Sequence, residues 1–87
     1  MAVMQITLKL YASLTQYLPA EAREGNQLTL DVSEGATLAD VVAPYNLPPK
    51  LVHLVLVNGA FVPPPERATR ALQAGDVLAI WPPVAGG

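Results

Sequence analysis

The chain has 87 residues, of which 52% are apolar and 14% charged, with a net charge of −2 and no cysteine. That length bounds it to one domain near the lower limit for an unaided hydrophobic core, and the lack of cysteine excludes disulfide staples and thiolate zinc sites. The five basic residues, Lys9, Arg23, Lys50, Arg67 and Arg70, are scattered, so no phosphate-tracking stripe forms and nucleic acid is not an expected partner.

The opening stretch "VMQITLKLY" alternates, with Met4, Ile6, Leu8 and Leu10 on one face and Gln5, Thr7 and Lys9 on the other, which predicts a half-buried strand. "ASLTQYLPAEAREGNQ" follows, where Ser13 is a candidate cap for Leu14, Tyr17 and Leu18 at helical spacing until Pro19 stops extension. The expectation is one helical turn inside a surface loop. "LTLDV" alternates again, burying Leu28, Leu30 and Val32, and "SEGA" turns the chain.

Thr37 with Asp40 three residues on approximates a capping box, and Leu38, Val41, Val42 and Tyr45 form one apolar stripe. Pro44 ends that helix or bends its last turn, holding it to about two turns. In "LVHLVLVNGAFV", Asn58-Gly59 suits a type I′ turn, placing strands at 53–57 and 61–62. The prolines Pro63 to Pro65 cannot donate ladder hydrogen bonds and belong in a loop or at an edge. "LQAGDVLAIW" then gives a turn at Ala74-Gly75-Asp76, in which the aspartate bonds local backbone, and a last strand over 77–81. The order ββαβββ predicts an α+β domain, one helix against one sheet.

Catalytic groups do not assemble in this pattern. His53, the single histidine, lies in an apolar run without an orienting partner, and a strand residue is the simpler reading. The acids Glu21, Glu24, Asp31, Glu34, Asp40, Glu66 and Asp76 lack the paired spacing of a metal or glycosidase site, so no bound cofactor or metal is expected. No phosphate-binding loop is present either, because "VSEGATLAD" has neither the spacing nor the lysine. Apolar runs fall far short of the roughly 20 residues that cross a bilayer, and "MAVMQITLKL" does not resemble a secretory signal. A cytoplasmic location without membrane contact is expected.

The chain closes on "WPPVAGG". Two terminal glycines arise by chance in roughly 0.5% of chains, given about 7% glycine in ordinary sequence. Lacking Cβ, Gly86 and Gly87 can extend through a narrow channel and present a carboxylate to a partner's active site. Pro82 and Pro83 hold the preceding segment extended, while Trp81 and Val84 offer apolar anchors, with Ala85 between anchor and glycines. Trp81 equally suits a core position at the end of the last strand. Once adenylated, such a carboxylate yields an amide with an amine or a thiocarboxylate with a sulfur donor.

"VLVNGAFV" and "LQAGDVLAIWPPVAGG", together with the two first strands and the "EGATLADV" helix start, resemble the MoaD/ThiS family of ubiquitin-like sulfur carriers along the whole chain. The "PPVAGG" ending is more similar to the molybdopterin-synthase small subunits than to the thiazole-forming carriers. "YASLTQYLP" departs from the former in lacking the arginine and glutamate often found in that loop. The resemblance implies a ubiquitin-like β-grasp, one short helix on a mixed sheet of four to five strands over residues 1–81, followed by an extended tail over 82–87. It implies that Gly87 is the reactive terminus, and that Trp81, Pro82, Pro83, Val84, Ala85 and Gly86 meet partners. Those partners are a ubiquitin-activating-enzyme-like adenylyltransferase that uses ATP, a sulfur-donor enzyme and the large catalytic subunit of a molybdopterin synthase. The chain itself is then a carrier and not an enzyme. Thiazole formation, tungsten-cofactor synthesis and tRNA thiolation use the same kind of terminus, and a protein modifier or a docking module shares the fold.

Overall fold

The computed structural model describes residues 2–83. Alternation in β1 (Val3–Leu10) works as the sequence predicts: Met4, Ile6, Leu8 and Leu10 turn inward and are buried, leaving Gln5 exposed. β1 pairs antiparallel with β2 (Gln27–Ser33), Ile6 opposite Leu30, and the half-buried Leu28, Leu30 and Val32 extend the same inner face. On its other side β1 runs parallel to β5 (Val77–Trp81), with Leu8 opposite Leu78. β3 (Leu54–Val57) and the short β4 (Ala60–Phe61) complete a mixed five-stranded sheet in the order β2-β1-β5-β3-β4.

The segment between β1 and β2 differs from the expected single turn. It holds a 3₁₀ turn over Ala12–Tyr17 and then α1 (Ala20–Arg23). Ser13 does not cap: the chain enters the turn through Ala12 at φ +51°, so Tyr11 occupies the cap position and Ser13 falls inside. A left-handed alanine costs on the order of 1 kcal/mol. Pro19 ends the first turn and opens the second, since a cap residue needs no N–H of its own. Leu14, Leu18 and Ala22 are all buried, so this segment is a wall of the core and not merely a surface loop.

α2 (Leu38–Val42) starts at the expected capping box: Asp40 N–H donates to Thr37 Oγ1 at 3.2 Å and Thr37 N–H to Asp40 Oδ2 at 3.0 Å. The Thr37 backbone N–H, then its side chain, hold the Asp40 carboxyl below its ordinary pKa. Leu38 and Val41 are buried against the sheet, and at Pro44 the helix tightens into a 3₁₀ turn over Ala43–Tyr45. Asn46, left-handed at φ +51°, ends it.

The β3–β4 hairpin has the expected positive angles, +51° at Asn58 and +86° at Gly59. With a two-residue loop Val57 faces Ala60, which shifts β4 one residue earlier than expected, while β3 begins one residue later, at Leu54 and not at His53. Pro63 is extended, and the two prolines after it enter a 3₁₀ turn over Pro64–Glu66. Arg67 then laces three segments together. Its Nε donates to the Val62 carbonyl at 3.0 Å, Nη1 to Val52 at 3.2 Å and Nη2 to His53 at 3.1 Å. Arg67→Ala is expected to cost about 2 kcal/mol in urea denaturation, since bonds from charged donors are worth roughly 1.5–3 kcal/mol. Arg67→Lys should recover less than half of that, because an ammonium cannot fork to three separated acceptors.

Candidate functional site

The candidate site is the place where the chain leaves the sheet. Trp81 is the last residue of β5, paired with Leu54, and its carbonyl accepts the His53 N–H at 3.1 Å. Pro82 and Pro83 have no N–H, so the ladder stops there. Trp81 is half-buried, Pro82 buried and Pro83 exposed. The Trp81 ring stacks on Tyr11, with centroids 4.1 Å apart and planes 4° from parallel. The core position foreseen for Trp81 is therefore not the one it takes: it lies outside the buried cluster, half-buried on the outer face of the sheet and packed on Tyr11. Val84, Ala85, Gly86 and Gly87, the rest of the expected site, lie outside the described residues.

Around the exit the outer face of the sheet is apolar. Strand register puts Leu54 beside Trp81, Leu56 beside Ala79, and Phe61 beside Leu56, all on the face opposite Leu78, Ile80, Val55 and Val57. Phe61 is 55% exposed and Leu54 36%. Lys9, across from Ala79, borders this patch, and beyond it β1 and β2 present polar residues such as Thr29 and Asp31. Sequence reasoning missed Leu54, Leu56, Phe61 and Tyr11 as site residues. A signal was present: "LVLV" and "VLAIW" carry apolar residues on both faces, as strands covered on both sides do.

Elsewhere, among the described residues, no competing chemistry assembles. His53 is exposed, and its hydrogen bonds among the described residues are made by its backbone, to Trp81 and Arg67. Among the described residues no three His, Asp or Glu side chains converge to hold a metal ion, and no helix is long and apolar enough to cross a membrane. Two open depressions flank Gly35, one lined by Gln5, Gln73 and Gly75, the other by Asp31, Asp40 and Val41. The first sits at the starts of β1 and β5, a strand length from Trp81.

Comparison with solved structures places this geometry. SAMP1 from Haloferax volcanii is 27% identical with a TM-score of 0.64, covering 95% of this chain and 99% of that one. The Haloferax volcanii HVO 2177 protein is 26% identical with a TM-score of 0.73, covering 98% and 88%. A putative molybdopterin converting factor, subunit 1, from Pyrococcus furiosus shares the fold at 20% identity and a TM-score of 0.66, over 93% and 99%. No curated protein matches the chain. The domain is thus a ubiquitin-like β-grasp, as its mixed sheet and short helices require. The model of the ThiS family matches residues 17–87, and the chain belongs to that family.

Proposed function

We propose that the protein is a sulfur carrier whose C-terminal Gly87 is adenylated and converted to a thiocarboxylate. The observation that carries this reading is the family match running through residue 87, which includes the terminal glycine pair. The apolar patch of Leu54, Leu56, Phe61 and Trp81 supports it, since a partner can grip that surface while the terminus reaches its active site. In this reading the chain supplies a terminus and a docking surface. Its part is delivery, and catalysis belongs to the partner.

The chemistry balances without a thiol on this chain. A carboxylate oxygen of Gly87 attacks the α-phosphorus of ATP and expels pyrophosphate. Sulfide delivered by a donor enzyme then attacks the carbonyl carbon, AMP leaves, and a thiocarboxylate remains. The activating partner is an adenylyltransferase of the ubiquitin-activating type. The "PPVAGG" ending favours a molybdopterin synthase large subunit as the acceptor's enzyme.

A second reading has its own support. Solved structures similar to this chain include proteins named small archaeal modifiers, and an acyl-adenylate attacked by a lysine amine would give an amide conjugate and AMP. Intact mass spectrometry separates the two. After incubation with ATP, a cognate adenylyltransferase and sulfide, the carrier reading expects a gain equal to one oxygen-to-sulfur exchange, mapped to Gly87. Lysine-linked conjugates in extract, without that gain, would replace it with the modifier reading.

A further inference from the structure

The ladder that holds β5 ends at Trp81, and the two prolines after it cannot prolong it. Among the described residues, side-chain packing at Trp81 then bears on the direction in which the chain departs. The packing partner is Tyr11, whose ring lies 4° from parallel with Trp81. Tyr11 is itself held on both sides. Its N–H donates to the Ile80 carbonyl at 3.1 Å, and its carbonyl accepts the Leu14 N–H at 3.0 Å. The next residue, Ala12, takes the left-handed conformation at φ +51°, which an alanine adopts only where its surroundings impose it. Thr15 Oγ1 donates to the Ala12 carbonyl at 2.9 Å, and Leu14 and Leu18 anchor the turn in the core. An unfavourable backbone angle is thus maintained next to the ring that covers Trp81, far from the β3–β4 and pre-β5 turns.

We propose that Tyr11 is a positioning residue for the C-terminal tail: clamped flat on Trp81 by the turn at Ala12, it fixes the direction in which Pro82 and Pro83 leave β5. An enzyme acting on the terminal carboxyl then meets one exit geometry and not a fan of them. This deepens the carrier reading and rests on it for its kinetic consequence, but the geometric claim can be measured without any partner.

The test uses Tyr11→Leu, which keeps apolar bulk without a stack, Tyr11→Ala as a second truncation, and Tyr11→Phe as the conservative variant. With no native cysteine in the chain, a nitroxide placed on Val84→Cys labels one site. With Tyr11 or Phe at this position, paramagnetic broadening should concentrate on one group of amides around the exit; with Leu or Ala it should spread evenly over the neighbouring loops. An unchanged broadening pattern in either truncation, with the chain still folded, would overturn the proposal. In ATP–pyrophosphate exchange on unlabelled chains, Tyr11→Leu should lower kcat roughly tenfold at unchanged KM, and Tyr11→Phe should restore it. A raised KM at unchanged kcat would make Tyr11 a contact residue for the enzyme and overturn the positioning role. If the unsubstituted chain supports no exchange with its cognate enzyme, the carrier reading fails, and the nitroxide pattern still decides whether Tyr11 directs the tail.

Discussion

Deletion of Gly87 is expected to reduce sulfur loading to background while leaving the fold intact. The two halves of this expectation have separate physical grounds. Loading requires a carboxyl at a defined reach from the exit, and removing one residue both shortens that reach and places the new carboxyl on Gly86. Adding an alanine after Gly87 should be as damaging, since it would put a Cβ where the proposed threading calls for a bare backbone. Stability should move by no more than about 0.5 kcal/mol, the usual range for surface changes away from packed features. The core residues and ladder bonds of the described fold lie at or before Pro82, and among the described residues the buried aliphatic cluster ends at Ile80. Thermal melts and intact mass spectra on the same samples check both halves. A large loss of melting temperature would assign the terminus to the structure and remove the basis for treating it as cargo-bearing. Retained loading at the new terminus would show that the partner does not read the length of the tail.

Much of the fold was legible because each element carries a local signal that the tertiary structure does not override. β1 alternates, Thr37 and Asp40 form their box, and Asn58-Gly59 turns with both angles positive. The segment after β1 was misread for a specific reason. A left-handed angle at Ala12 has no signature in sequence, because alanine is neither glycine nor asparagine, and it moved the cap from Ser13 to Tyr11. The one-residue shift of β4 is of another kind, since the two-residue turn at Asn58-Gly59 itself pairs Val57 with Ala60 and so starts the strand there. The glycine pair and Trp81 are legible in the sequence as a motif, whereas the patch beside Trp81 is not. Leu54, Leu56 and Phe61 come from two strands, and only the pairing of β3 with β4 and β5 puts them beside Trp81. The Tyr11–Trp81 stack joins residues near opposite ends of the chain, a relation that no local pattern encodes.

Asp76→Ala is expected to be the most destabilising of the polar substitutions, by about 2–4 kcal/mol, since it removes two hydrogen bonds to a carboxylate that is nearly buried. Oδ2 of Asp76 accepts the Gln73 N–H at 2.8 Å, which closes the turn before β5, as expected from the sequence. Oδ1 does something the sequence did not announce: it accepts from Asn58 Nδ2 at 2.9 Å, while Asn58 Oδ1 accepts the Val77 N–H, also at 2.9 Å. The hairpin turn and the turn into β5 are thereby locked to each other. For a domain of this size, each kcal/mol shifts the melting temperature by roughly 4–8 °C, so a drop of about 8–32 °C follows. Asn58→Gly distinguishes the lock from the turn. Glycine accepts the positive φ at this position without strain, so the hairpin survives and only the side-chain bonds are lost, at about 1–2 kcal/mol. The double variant should lose less than the sum of the two, because they share one bond; full additivity in urea denaturation would mean that the two turns are independent. Loading of Gly87 provides the contrast. The lock sits at the start of β5, whereas Trp81 is held at its other end by Leu54, His53 and Tyr11, so folded Asp76→Ala should load at the unsubstituted rate. Loading that falls in step with the melting temperature, at a temperature where both proteins are folded, would instead show that strain at the first residue of β5 reaches the exit at its last.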